Sequence, residues 1–185
     1  RGANGVVIIT TKKGKAGKPI LEFSTSISTA SVPNRVEVLD RAGFLAAQTA
    51  LGGDLSVLDQ GSDTDWQDLI YRNAFSSNHN VSYGGGTDTG RYLLSLSYAD
   101  QEGVVENSGL ERITARVNLS QKFFDDKLRL ASQITVSDVD DQRAPIADNA
   151  NARGDLISAS YYSNPTLAPY DANGIPTSTG SQEQL

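Results

Sequence analysis

Apolar and polar residues alternate with a period of two along several stretches of this chain. Leu21, Phe23, Thr25 and Ile27 fall on one face of a strand, with Glu22, Ser24, Ser26 and Ser28 on the other. The alternation returns in Tyr92, Leu94, Leu96 and Tyr98 against Ser95, Ser97 and Ala99, with Leu93 as an apolar intruder on the second face. It recurs in Ile113, Ala115, Val117 and Leu119 against Thr114, Arg116, Asn118 and Ser120. Leu128, Leu130, Ser132, Ile134 and Val136 stand against Arg129, Ala131, Gln133 and Thr135, and a weaker strand carries Val81 and Tyr83 within about 77–84. The pattern predicts an all-β chain of about five antiparallel strands, each with one apolar face. It does not say what covers that face. A soluble sandwich turns apolar faces on one another, whereas a membrane barrel turns them to lipid and gives the Ser, Thr, Asn, Gln and Arg face to a wet lumen.

Between the strands the pattern changes. Val6-Val7-Ile8-Ile9-Thr10-Thr11 is a β-branched run without alternation, which predicts a strand buried on both faces. Lys12 to Lys18, closed by Pro19, reads as a solvated connector. A long link runs over about 31–75, another spans Asp100 to Glu111, and the tail after Ser137 returns to no clear strand. Gly84 to Gly90 and Phe124 to Lys127 read as short hairpin turns. Long and short connections thus alternate, as in bacterial barrels with long outer loops and short periplasmic turns. Inside the long link, Val38 to Gln48 predicts an amphipathic helix with Asp40 as its cap, and Trp66 to Tyr71 a second, shorter one.

Composition narrows the classes. The 16 basic and 22 acidic residues of the 185 give a net charge of −6, which argues against a nucleic-acid partner. There is no Cys, so disulfides, thiolate metal sites and cysteine nucleophiles drop out. No apolar run reaches the roughly 18 residues of a transmembrane helix. A mean hydropathy of −0.34 is compatible with a barrel wall, whose strands carry a weak signal. There is no Met, and Arg1 opens directly into Gly-Ala-Asn-Gly, so the chain is expected to be a piece of a longer one.

The opening Arg1-Gly2-Ala3-Asn4-Gly5-Val6-Val7-Ile8-Ile9-Thr10-Thr11-Lys12-Lys13-Gly14 resembles the segment that ends the plug domain of SusC/RagA-type TonB-linked outer-membrane proteins. Further similarity follows in family order through Thr64-Asp65-Trp66-Gln67-Asp68 and Asn80 to Thr87. Tyr92 to Tyr98, Asp100 to Gly103, Arg112 to Leu119, Asn164-Pro165-Thr166 and Tyr170 to Gly174 continue it. The resemblance implies a fragment of a transmembrane antiparallel β-barrel, of about 22 strands in the intact family, together with the last strand of the N-terminal plug. Residues 1–18 would be the plug's end and connector, 19–137 the first about five barrel strands with an extracellular loop at about 31–75, and 138–185 the start of a further extracellular loop. It also implies TonB-dependent import of a large nutrient, glycan or peptide, across the outer membrane of a Gram-negative bacterium. A SusD-like surface lipoprotein would be the lid, outer-membrane lipid would surround the wall, and TonB would act through a segment absent here. A siderophore receptor of the same class, a soluble β-rich binding or adhesion domain and a β-rich glycan-processing enzyme are the alternatives.

Candidate chemistry is sparse. His79 is the sole histidine, and nothing local supplies the carboxylate and nucleophile of a triad. Gly84 to Gly90 lacks the following helix and the Lys-Ser/Thr pair of a phosphate loop, because a strand follows. Asp138, Asp140 and Asp141, like Asp63, Asp65 and Asp68, offer hard oxygens without EF-hand spacing, so no metal or other cofactor is expected. Arg116 and Arg129 fall on polar faces, where a lumen wall holds charge at little cost. Trp66, Tyr71 and Phe75 are aromatic residues suited to stacking on a sugar ring or to holding a loop at a barrel rim, and Trp66 and Tyr71 are the substrate-contact candidates. No catalytic residue is expected.

Overall fold

A computed structural model describes Lys12, residues 14–144 and residues 155–177. The strand expected over Val6 to Thr11 lies outside the described residues. The five expected strands are present as one antiparallel meander in the order β1-β2-β3-β4-β5. They are β1 Gly17–Ala30, β2 Ala74–Gly86, β3 Gly90–Glu102, β4 Gly109–Phe123 and β5 Leu128–Gln142. Among the described residues four helices lie between and after them: α1 Arg41–Ala50, α2 Leu55–Leu58, α3 Trp66–Ile70 and α4 Leu156–Tyr162.

Every strand is longer than its apolar pattern, because the ladder continues through polar tips that periodicity does not mark. This corrects three boundaries. The link expected from Asp100 to Glu111 is only 103–108, closed by the Gly103 N–H donating to Ser108 O at 2.9 Å. The Gly84 to Gly90 turn is only 87–89, since the three glycines belong to β2 and pair with Leu93, Tyr92 and Arg91. The tail after Ser137 continues as strand to Gln142 and then carries α4, which the alternation did not predict.

The chain divides into two units. The sheet unit comprises the chain up to Ser28 with Ser76–Gln101 and Leu110–Asp140, and the loop unit comprises Thr29–Phe75, Glu102–Gly109 and the chain from Asp141. In the sheet unit the register pairs Val81 with Leu96, Tyr83 with Leu94 and His79 with Tyr98, so the apolar residues of β2 and β3 share one face. That face is bare: Phe23 is 67% exposed, Leu96 52% and Leu130 60%. The opposite face carries hydroxyls and an arginine in mutual contact, with Thr114 Oγ1 and Ser137 Oγ at 2.8 Å and Arg116 Nε donating to Thr135 Oγ1 at 3.3 Å. The turn joining β4 to β5 holds Phe124, Asp125 and Asp126 at φ of 54°, 53° and 66°, a left-handed run closed by the Lys127 N–H on Phe124 O.

Most of the apolar core lies elsewhere. Ile70, Ala74, Val105 and Ala144 are buried in the loop unit, with Ala99 the buried apolar residue of the sheet unit among the described residues. No helix among the described residues is long and apolar enough to cross a membrane, a fact that says nothing about crossing by strands.

Candidate functional site

The loop unit gathers the aromatic and polar side chains that a ligand could meet, and aspartates organise it. Each helix opens on one: Asp40, Asp54, Asp65 and Asp155 accept hydrogen bonds from the first free N–H groups of α1, α2, α3 and α4. Asp40 is the cap the sequence predicts for α1. The Ser158 hydroxyl and the helix N–H groups hold the Asp155 carboxyl below its ordinary range, and Ser56 does the same for Asp54. Arg41 lowers Asp59 through a two-pronged pair, Nε to Oδ1 at 3.1 Å and Nη2 to Oδ2 at 2.8 Å.

Two distant segments are stitched by backbone and side-chain bonds. Thr166 is fully buried, and its hydroxyl donates to Leu58 O at 2.7 Å while accepting from the Gln60 N–H at 2.9 Å. Asn164 Nδ2 also donates to Leu58 O, and the Ser62 and Thr64 N–H groups donate to the carbonyls of Thr166 and Pro165. The Asn164-Pro165-Thr166 element is therefore a buried clasp between α2–α3 and α4. Gln67, 3% exposed, does similar work for residues near Val36: its amide donates to Val36 O at 2.7 Å and accepts from Val36 N at 3.1 Å, imitating a strand partner. Arg72 holds 103–108, with Nε on Gly103 O at 3.0 Å and Nη2 on Ser108 O at 2.8 Å.

Beside the clasp lies a cavity of about 220 Å³. Its walls are mainly apolar, with Trp66, Leu69 and Ile70 from α3, Leu156 and Ala159 from α4, and Tyr170 beyond. The Thr177 hydroxyl at its edge has no hydrogen-bond partner among the described residues. Trp66 thus lines a cavity while its indole N–H is engaged by Asn164 O at 3.0 Å. Tyr71 follows α3 but does not line the cavity. Arg35 lies 6.0 Å from its ring centroid, and burial, reinforced by a hydrogen bond with Tyr161, pushes its phenol up to about 12. The two candidates therefore differ: Trp66 offers a face to open space, and Tyr71 sits in loop packing. The clasp and the Gln67 amide were missed as organisers, although both lie within motifs already noted.

His79 Nδ1 lies 2.7 Å from Thr25 Oγ1, and its ring stacks at 8° on Tyr98. Asp63 accepts from the Arg41 N–H, Asp65 caps α3, and Arg35 bridges Asp68 at 2.9 Å and Asp65 at 3.8 Å, so each carboxylate is already engaged by the protein. Asp141 is paired with Arg143 at 2.6 Å. No cluster of three or more metal-ligating side chains exists among the described residues. Phe75 is 49% exposed on β2.

The chain is 44% identical over 131 residues to the TonB-dependent receptor SusC of Bacteroides thetaiotaomicron, matching 70% of this chain and 13% of that protein. It is 37% identical over 181 residues to TonB-dependent receptor P3 of Formosa agariphila, matching 96% of this chain and 18% of that protein. Among solved structures, the RagAB peptide transporter superposes with a TM-score of 0.75 over 93% of this chain and 24% of that one, at 18% identity. The RagAB peptide importer in its 'open-open' state gives 0.71 over 98% and 24%, at 20% identity. No family model matches. The chain spans less than a fifth of the length of the curated receptors it matches, and these proteins are receptors and transporters rather than enzymes. With its bare-faced antiparallel meander and this similarity along nearly its whole length, the chain belongs to the SusC/RagA-type TonB-dependent receptors and has the fold of part of their β-barrel.

Proposed function

We propose that this chain forms part of the wall and outer loops of a TonB-dependent importer in the outer membrane of a Gram-negative bacterium. The observation that carries the reading is the bare apolar face. A water-soluble sandwich would bury Phe23, Leu96 and Leu130, whereas here they stand exposed opposite a hydrogen-bonded polar face. Lipid on one side and a wet passage on the other suit that distribution. In this reading residues 1–18 end the plug, β1–β5 are wall strands, and the links over 31–73 and after Gln142 are extracellular.

The substrate class is a large nutrient, a glycan or a peptide. Similarity to the RagAB peptide transporter supports the peptide, and the glycan is the alternative. A SusD-like lipoprotein is the proposed lid and TonB the source of energy. Trp66 and Tyr71 are the proposed substrate contacts, with Trp66 the better placed because its ring borders open space. Transport on this plan is conformational, a gate moved by a pull, with no bond chemistry.

Single cysteines at Leu94, Ser95, Val117 and Asn118 in the intact protein test the wall. In outer-membrane vesicles, Ser95→Cys and Asn118→Cys are expected to label with a water-soluble thiol reagent. Leu94→Cys and Val117→Cys should react only with a lipid-phase probe. If the apolar pair resists both reagents, those side chains are buried in protein and the soluble-domain reading replaces this one.

A further inference from the structure

The residues before β1 do not simply trail from the sheet. Gly14 lies against the backbone of Tyr92 on β3, so close that a methyl group on it would sit 2.7 Å from the Tyr92 carbonyl carbon and 2.8 Å from its nitrogen. Tyr92 pairs with Gly85 of β2, and a side chain on Gly85 would in turn meet Pro19 of β1, 3.0 Å from its Cα. Because β2 lies between β1 and β3, the connector crosses β2 on its way from Gly14 to Pro19. It crosses where β2 is Gly84-Gly85-Gly86 and presents no side chains. Five links of chain reach at most about 17 Å, and two strand spacings require about 9.5 Å, so the crossing takes more than half of the connector's reach. Gly17, at φ 134°, makes the corner into β1 with a backbone conformation that side chains disfavour. Lys12 reaches back toward Glu22 at 3.9 Å, an exposed pair that adds little.

We propose that Gly14 and the glycines of β2 form a seat that anchors the connector to the interior strand β3. The consequence is mechanical and rests on the reading above, in which residues 1–18 end the plug, with the plug as the gate that the pull moves. A connector leading straight into β1 would deliver a pull to the end of one strand and strip its ladder one bond at a time. A connector seated on β3 delivers the pull to a strand hydrogen-bonded on both sides, so the upstream segment can move while β1 stays paired.

The seat is tested in the intact protein, folded in detergent, by the rate of trypsin cleavage after Lys15, with Lys18 protected by the following proline. Each rate is divided by that of a synthetic peptide carrying the same substitution, and folding is checked by heat-modifiable migration. Gly14→Val is expected to raise the normalised rate about tenfold, Gly14→Ala to raise it by less, and Ala16→Ser to leave it unchanged. A folded Gly14→Val protein cut no faster than wild type would overturn the proposal. If Gly14→Val does not fold, an unchanged rate in Gly14→Ala overturns it equally, because a single methyl already overlaps the Tyr92 backbone. Cleavage does not depend on transport, so this result stands or falls separately from the labelling of the wall.

Discussion

Leu96 of the sheet unit is 52% exposed, while Thr166 of the loop unit is 0% exposed. The large apolar side chain is out and the polar one is in, the reverse of the usual ordering for a chain in water. Each inversion has its own cause. On the sheet, backbone groups are satisfied by strand pairing, so side chains are free to match whatever medium lies outside. In the loop unit, irregular backbone must find partners from side chains, so Thr166, Asn164, Gln67 and Arg72 go inward to supply them. One unit is held by its ladder and the other by polar clasps.

The sharpest way to break this contrast is to put charge on each face of β3. Leu96→Arg is expected to cost about 2–4 kcal/mol if that face meets the bilayer interior, while Ser95→Arg stays within about 0.5 kcal/mol. Urea unfolding of the intact protein in lipid vesicles measures both, and equal costs would mean that the two faces do not differ in medium.

A smaller effect is expected at the clasp. Thr166→Val keeps the shape but leaves the Gln60 N–H without the threonine oxygen and removes one donor from Leu58 O, a loss of about 1–3 kcal/mol. Hydrogen exchange should accelerate over 58–64 and remain unchanged in β2–β4. Acceleration throughout the sheet would show that the two units do not unfold separately.

The smallest effect is a titration. Burial and the hydrogen bond with Tyr161 push the Tyr71 phenol up to about 12 in the folded chain, against an ordinary value of 10.0. Its contribution to stability is whole below pH 10 and is lost as pH rises from there toward 12. A difference absorbance titration of wild type against Tyr71→Phe at 295 nm should show the missing tyrosine ionising late. A midpoint near 10 would mean that the α3–α4 region is open to water around it.

Much of the sheet was readable from the chain because period-two alternation is a local property, and the five patterns around Phe23, Val81, Leu94, Ile113 and Leu130 each found a strand. Strand ends were less readable: Asp100, Gln101 and Glu102 look like a loop by polarity yet still pair. Helix α1 was legible through Asp40 and its amphipathic run, and α3 through Trp66 to Tyr71. Helix α4 has only Leu-Ile-Ser-Ala-Ser-Tyr-Tyr, too short to establish a period, and Asp155 was its one available signal. The clasp was beyond local reading, because Thr166 and Leu58 meet across more than a hundred residues. The Asn-Pro-Thr motif was visible, and its purpose was not.

The turn after β4 carries a consequence for assembly. Phe124, Asp125 and Asp126 all adopt the left-handed region that non-glycine residues avoid at roughly 1–2 kcal/mol each, and such turns match the natural twist of paired strands. A tip of this hand admits few alternative alignments of Phe123 with Leu128. The β4–β5 hairpin therefore has its offset set by local conformation, and it can close correctly before β3 has arrived beside β4.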